Sequence, residues 1–115
     1  MATFRLAIPK ASVQGVLTDV ITGCAARFHG ERVAVVDLAA LFANAHRLVA
    51  PFAVAVEHRG RRAIVAVDSV APAYLMGTLV AMPKLGLLRP DLFEGALRVA
   101  GEIVLVLAPR SLVTL

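Results

Sequence analysis

The residues that could do chemistry in this chain are few and widely spread. His29, His46 and His58 are separated by gaps of 17 and 12 residues. Neither gap matches a local zinc-ligand pair, and Cys24 is the sole thiol, so the sequence predicts no metal site. Turn or surface histidines are the expected reading. Ser12, Ser69 and Ser111 lack the glycine-flanked elbow of a nucleophilic serine. No GxxxxGK[ST] phosphate loop is present, and no GxGxxG follows a strand. Asp91 and Glu94 are spaced to share a helix face, where a solvated pair is expected rather than an acid/base dyad. The basic cluster His58-Arg59-Gly60-Arg61-Arg62 could touch phosphates. No Phe or Tyr interleaves with it for base stacking, so a solvated hairpin tip is the expected role. No catalytic residues and no cofactor are predicted.

These residues sit on an apolar chain. Hydrophobic residues make up 59% of the 115 and charged residues 17%, below the ~25% usual for soluble domains, which excludes an intrinsically disordered chain. The formal charge of +4 invites a nucleic-acid or membrane reading, but outside the Arg59–Arg62 cluster the basic residues are scattered. A lone cysteine allows no intramolecular disulfide and fits a reducing cytoplasm. No basic segment leads an apolar run at the start, so no secretory signal is expected. The longest uncharged stretch, Ser69 to Pro83, is broken by Pro72 and Gly77 and falls short of the ~20 residues of a membrane-spanning helix. No direct membrane insertion is expected.

The elements that must position these residues are mostly strands. Phe52–Val56 and Ala63–Asp68 alternate with period two around a polar, Gly-containing turn and read as a hairpin. Its small-residue face is alanine rather than charge, so both faces are expected to be covered. Phe93–Val99 and Ile103–Leu107 flank Ala100-Gly101-Glu102 as a second hairpin, and the unbroken apolar run predicts a strand buried on both faces. Pro109 then opens a short helix through Val113. At the other end, Thr3–Ile8 alternates like a strand and stops at Pro9. Ser12–Leu17 fits a short helix or a second strand, and Asp19–Gly30 reads as loop. Ala71–Asp91 reads as a long excursion with one short strand near Thr78–Met82.

The chain also repeats itself. Gly30 to Leu41 aligns with Gly101 to Leu112, with five of twelve positions identical. Each copy reads as turn, buried strand and short helix, with Asp37 placed to cap the first helix. Two such units predict two similar lobes in an all-β chain with small helical punctuation.

Taken in order, these motifs resemble the CheW-like chemotaxis coupling proteins. Ile8-Pro9-Lys-Ala-Ser-Val-Gln14 looks like that family's I-P-x-x-x-V-Q-E opening. Gly30-Glu-Arg-Val-Ala-Val-Val-Asp-Leu-Ala-Ala-Leu-Phe42 is similar to its G-x-x-V-P-V-V-D-L-x-x-L-F stretch. Val67-Asp68-Ser-Val70 resembles its V-D-x-V hairpin end, and Phe93 to Leu112 its last hairpin and helix. The resemblance covers nearly the whole chain and implies a single CheW-like domain over residues 1–115. The implied fold is two small SH3-like β-barrel lobes sharing an apolar core, here with the first lobe abbreviated.

The same resemblance implies a non-enzymatic adaptor at cytoplasmic chemoreceptor arrays. Such an adaptor joins the cytoplasmic tip of a methyl-accepting chemoreceptor to a CheA-type histidine kinase. Carried over by position, the receptor groove involves Val13, Cys24, Phe52, Val70 and Ala73, while His29 and Gly30 fall in the segment that contacts receptor and kinase. Three positions depart from the family: His29 replaces an arginine, Ala34 a proline and Ala108 an acidic residue. An imidazole lacks the rigid five-donor fork of arginine. With the shortened first lobe, these departures bear on kinase docking more than on receptor docking, and they point to a specialised short member that binds a receptor and connects or insulates receptor assemblies, such as those of gliding-motility clusters. The competing expectation is a small basic β-barrel that binds nucleic acid, which a strongly salt-dependent affinity would reveal.

Overall fold

The computed structural model describes residues 5–23, 25–38, 40, 48–71, 75–81 and 90–114. Among these residues ten strands run in chain order: β1 Leu6–Ala7, β2 Val13–Ile21, β3 Ala26–Phe28, β4 Glu31–Val33, β5 Val35–Asp37, β6 Val49–His58, β7 Arg61–Val67, β8 Thr78–Val80, β9 Phe93–Val99 and β10 Glu102–Leu107. One α-helix with described bounds, α1, spans Pro109–Leu112. The chain is all-β with small helical punctuation, as its alternating and β-branched runs predict.

Three sheets result. One has the order β1-β10-β9-β8, a second β2-β6-β7-β5, and β3 and β4 form a third by themselves. Most pairs are antiparallel, but β1 pairs with β10 and β5 with β7 in parallel. Three tight turns close the hairpins: His29-Gly30, Arg59-Gly60 and Ala100-Gly101. In each, the first residue has φ near +50° (51, 50 and 49) and the glycine has φ +81°. Two consecutive positive φ values define the type I′ turn, whose twist matches that of the strands it joins. Glycine at the second position avoids the Cβ clash that the left-handed region imposes.

The central hairpin buries both faces. Val54, Val56, Ala63 and Val65 join Phe93, Ala96, Leu105, Leu107 and Leu112 in a core between the two four-stranded sheets. On the opposite face, Ala53, Ala55 and Ile64 meet Val20 and Val33, with Ala26 and Phe28 of the small sheet packed over them. The alanine side of the hairpin is narrow because a second layer lies on it. Ile64 and Val65 are fully buried, and each such side chain contributes roughly 1.5–3 kcal/mol through removal from water.

Irregularities tune this packing. The β9–β10 ladder runs Val106 opposite Gly95 and then Leu107 opposite Phe93, so Glu94 is the extra residue of a bulge. The bulge leaves Glu94 exposed and turns Phe93 and Leu107 together into the core. Gln14 plays the same part in β2, where Val13 faces Val56 and Gly15 faces Ala55.

Several expectations need correction. Of the two alternatives for Ser12–Leu17 the strand holds: after a 3-10 turn at Lys10–Ser12 the chain enters β2, which runs on to Ile21, beyond the expected end. The expected loop from Asp19 to Gly30 contains the end of β2 and all of β3. A three-residue strand is too short to show alternation, and its partner β4 supplies the hydrogen bonds that define it. Ile103 is not buried with the rest of β10; it lies next to the turn and is half exposed. Asp91 and Glu94 share no helix face, since Asp91 lies in a 3-10 turn and Glu94 in β9. Leu38 and Ala40 are helical after Asp37, but the rest of the first repeat lies outside the described residues.

The repeat extends further than the sequence shows. β3, its turn and β4 match the end of β9, its turn and the start of β10, with Arg27 at the place of Arg98. The parallel neighbours match as well: β7 lies along β5 as β1 lies along β10. The units differ at Ala34, where β4 and β5 are interrupted and the Ala34 carbonyl accepts a hydrogen bond from the Ile64 amide.

Candidate functional site

Among the described residues the histidines and serines do not converge. His29 stands exposed in its turn, its ring edge-on to Phe28 at a centroid distance of 4.2 Å. His58 ends β6 opposite Arg61. His46 and Cys24 lie outside the described residues. The Ser111 hydroxyl donates to the Asp91 carbonyl at 2.8 Å, a link that ties α1 to the turn before β9. Among the described residues no three His, Cys, Asp or Glu side chains come together to hold a metal ion. No helix among them is long and apolar enough to cross a membrane.

The basic cluster is a hairpin tip with an internal anchor. Arg62 is paired across the hairpin with Glu57 and reaches it at 3.2 Å, while its other nitrogen reaches Glu31 of β4 at 3.1 Å. Glu57 and Arg62 share the hairpin face on which Ala55 and Ile64 contact the β3–β4 layer, which brings Glu31 within reach. One guanidinium thereby holds two hairpin tips together, using the forked donor geometry that a lysine lacks. Gly30 and His29 form the tip next to Glu31.

Of the apolar candidates, Val13 and Phe52 lie on the same four-stranded sheet. Val13 is 38% exposed at the start of β2, Phe52 is 36% exposed in β6, and Val70 is 39% exposed beyond the end of β7. Phe52 is the direct partner of Val67, so Phe52 and Val70 belong to one end of the hairpin. Val13 faces Val56, four residues along β6, or about 13 Å away at the usual strand rise. Directly paired residues share a face, and alternation puts Phe52 on the side of Val54 and Val56. Val13 and Phe52 therefore flank the inter-sheet core from opposite ends, with Val54 and Val56 buried between them. Ala73 lies outside the described residues. None of Val13, Phe52 and Val70 lines the open concavity of about 260 Å³ formed by Leu17–Ile21, Ala25 and Ala26.

Other exposed apolar side chains escaped sequence reasoning. Ile21 and Val49 face each other across β2 and β6, and both are exposed beside Leu48. Leu75, Met76 and Leu79 form another exposed group at the edge strand β8, with Met76 89% exposed. The signal available for this second group was the uncharged stretch from Ser69 to Pro83, too polar in turns and too short for a membrane helix. Exposed apolar area of this kind marks contact surfaces. The arrangement leaves exposed apolar side chains at the rim of the core and a charged tip.

No family model matches the chain, and no curated protein matches it.

Proposed function

We propose that this chain is a non-enzymatic, CheW-like adaptor that binds the cytoplasmic tip of a methyl-accepting chemoreceptor. The observation that supports this reading is the relation of the two hairpin units. Each has an X-Gly turn, a glutamate after it, a strand and a parallel neighbour, and the central β6–β7 hairpin buries one face against each unit. In this reading the units are two SH3-like β-barrel lobes, the first abbreviated, working in the cytoplasm at receptor arrays. Val13, Phe52 and Val70 are the half-exposed apolar side chains that meet the apolar face of a receptor helix, a helix-in-groove contact. Cys24 and Ala73 complete the set by sequence position.

Coupling to a CheA-type kinase is weak or absent in this reading. His29 sits in a left-handed turn position and offers an imidazole where the resembled family has arginine. The test is a paired titration of the purified protein against a chemoreceptor tip and against the regulatory domain of a CheA kinase from the same genome. Binding to the receptor alone is expected. Binding to both would make the chain an ordinary coupling protein, and binding to neither would remove the adaptor reading.

A further inference from the structure

We propose that Arg27 and Arg32, with Arg59 at the neighbouring tip, form a second docking surface that takes a carboxylate-rich segment of a partner protein. Arg27 and Arg32 are direct cross-strand partners on β3 and β4, and both are exposed. Their neighbours Ala26, Phe28 and Val33 face the core, so by alternation the two guanidinium groups leave from the outer face. Like charges placed directly opposite in a sheet are destabilising.

The hairpin itself does not need this pair. In the equivalent hairpin of the other unit, the corresponding residues are Arg98 and Ile103, one charge and one apolar group. Nor is the pair neutralised locally. The nearby carboxylates, Glu31 and Glu57, both bond Arg62. Arg27, Arg32 and Arg59 have no side-chain ion pair or hydrogen bond among the described residues. The Arg62–Glu31 contact holds the Arg59-Gly60 tip beside the β4 strand that carries Arg32. Three unpaired guanidinium groups thus share one end of the molecule. Each presents a fork that matches a carboxylate in two-point geometry.

A protein segment fits this surface better than a nucleic acid does. The cluster is compact, and neutralising only about three phosphates gives weak, steeply salt-dependent binding to a duplex. The half-buried Phe28 ring is engaged with His29 and the core, so it gives no free platform for bases. The surface is also separate from the apolar rim: Phe52 lies at the far end of β6 from Arg59, and Val13, opposite Val56, lies on the other face of the hairpin from the β3–β4 layer.

The test titrates the full chain at low ionic strength with a peptide of alternating Glu and Gly, and in parallel with a short DNA duplex. The Arg27→Gln/Arg32→Gln variant is compared with a charge-matched control, Arg98→Gln/Arg110→Gln. The first variant is expected to lose about tenfold in peptide affinity, equivalent to ~1.4 kcal/mol, while the control binds like the parent. Its thermal midpoint is expected to equal or exceed that of the parent, because repulsion is relieved. No peptide binding by the parent overturns the proposal, as does an equal loss in both variants. Tighter binding to the duplex, lost with Arg27 and Arg32, overturns it in favour of nucleic acid.

Discussion

Arg62 bridges Glu31 at 3.1 Å in one unit of the fold, and Arg5 bridges Glu102 at 2.8 Å at the corresponding place in the other. In both, a residue just before or at the start of a strand clasps the glutamate that follows an X-Gly turn; β1 runs parallel to β10, which carries Glu102, and β7 runs parallel to β5, the strand that follows the Glu31-bearing β4. Each clasp ties one strand of a parallel pair to the hairpin of its unit. Parallel neighbours need that help, because no tight turn connects them.

The two clasps should contribute unequally. The Arg62 side chain is 28% exposed and serves two glutamates, whereas Arg5 and Glu102 are 58% and 68% exposed and form a lone pair. Lone surface pairs are worth little, and partly buried networks more. Arg62→Met is expected to lower stability by about 1–2 kcal/mol, because it leaves two carboxylates facing each other without a cation. Arg5→Met should stay within ~0.5 kcal/mol of the parent. Urea unfolding of both variants checks the order; equal losses would refute the distinction.

The sequence carried the hairpins plainly, because an X-Gly pair between alternating runs has one inexpensive backbone solution. Arg59-Gly60 and Ala100-Gly101 therefore turn where expected. It carried the repeat only from Gly30 onward. Arg27 and Arg98 lie just upstream, in β3 and the end of β9, and the surrounding residues Ala26 and Phe28 differ from Leu97 and Val99. The Arg62–Glu31 and Arg5–Glu102 clasps were invisible, since each arginine is remote in the chain from its glutamate. The apolar rim was half legible for a similar reason: the Phe52–Val67 pairing puts Phe52 and Val70 at one end of the hairpin, while Val13 belongs to the other end of the strand.

The turns give a stabilising prediction. Ala100 and His29 occupy left-handed positions, with φ of +49° and +51°, where asparagine is better tolerated than alanine or histidine. Ala100→Asn should raise stability by about 0.5–1 kcal/mol, a gain of a few degrees in the thermal midpoint. His29→Asn should do the same, less the loss of the ring contact with Phe28 at 4.2 Å. A fall in midpoint for Ala100→Asn would contradict the type I′ geometry.

Gly77 should be sensitive for a different reason. A Cβ there would lie 2.4 Å from the Arg98 carbonyl oxygen, so β8 could not stay in place against β9. Gly60 meets nothing within 4 Å and only its φ of +81° resists a side chain. Gly60→Ala should cost about 1–2 kcal/mol. Gly77→Ala should displace β8, read as lost hydrogen-exchange protection at Thr78–Val80 while the protection of β6 and β7 persists. Unchanged protection at β8 would show that the close approach is absent in solution.

Phe52 separates a binding role from a packing role. A fully buried phenylalanine typically costs ~3–5 kcal/mol on truncation to alanine. Phe52 keeps 36% of its surface in water and stands at the rim of the core rather than within it, unlike its neighbour Val54, which is 7% exposed. Phe52→Ala should therefore cost only about 1–2 kcal/mol, by the apolar area it removes, yet abolish binding to a receptor tip. Ile64→Ala, at a fully buried position, should cost about 2–5 kcal/mol. Calorimetry on the two variants, paired with receptor titration of Phe52→Ala, checks both halves. A stability loss for Phe52→Ala as large as that for Ile64→Ala would make Phe52 a core residue, and intact receptor binding by the folded variant would remove it from the groove. The combination of small stability loss and lost binding is what a side chain set at the edge of the inter-sheet core, opposite Val67 and toward Val70, must give if that edge receives a helix.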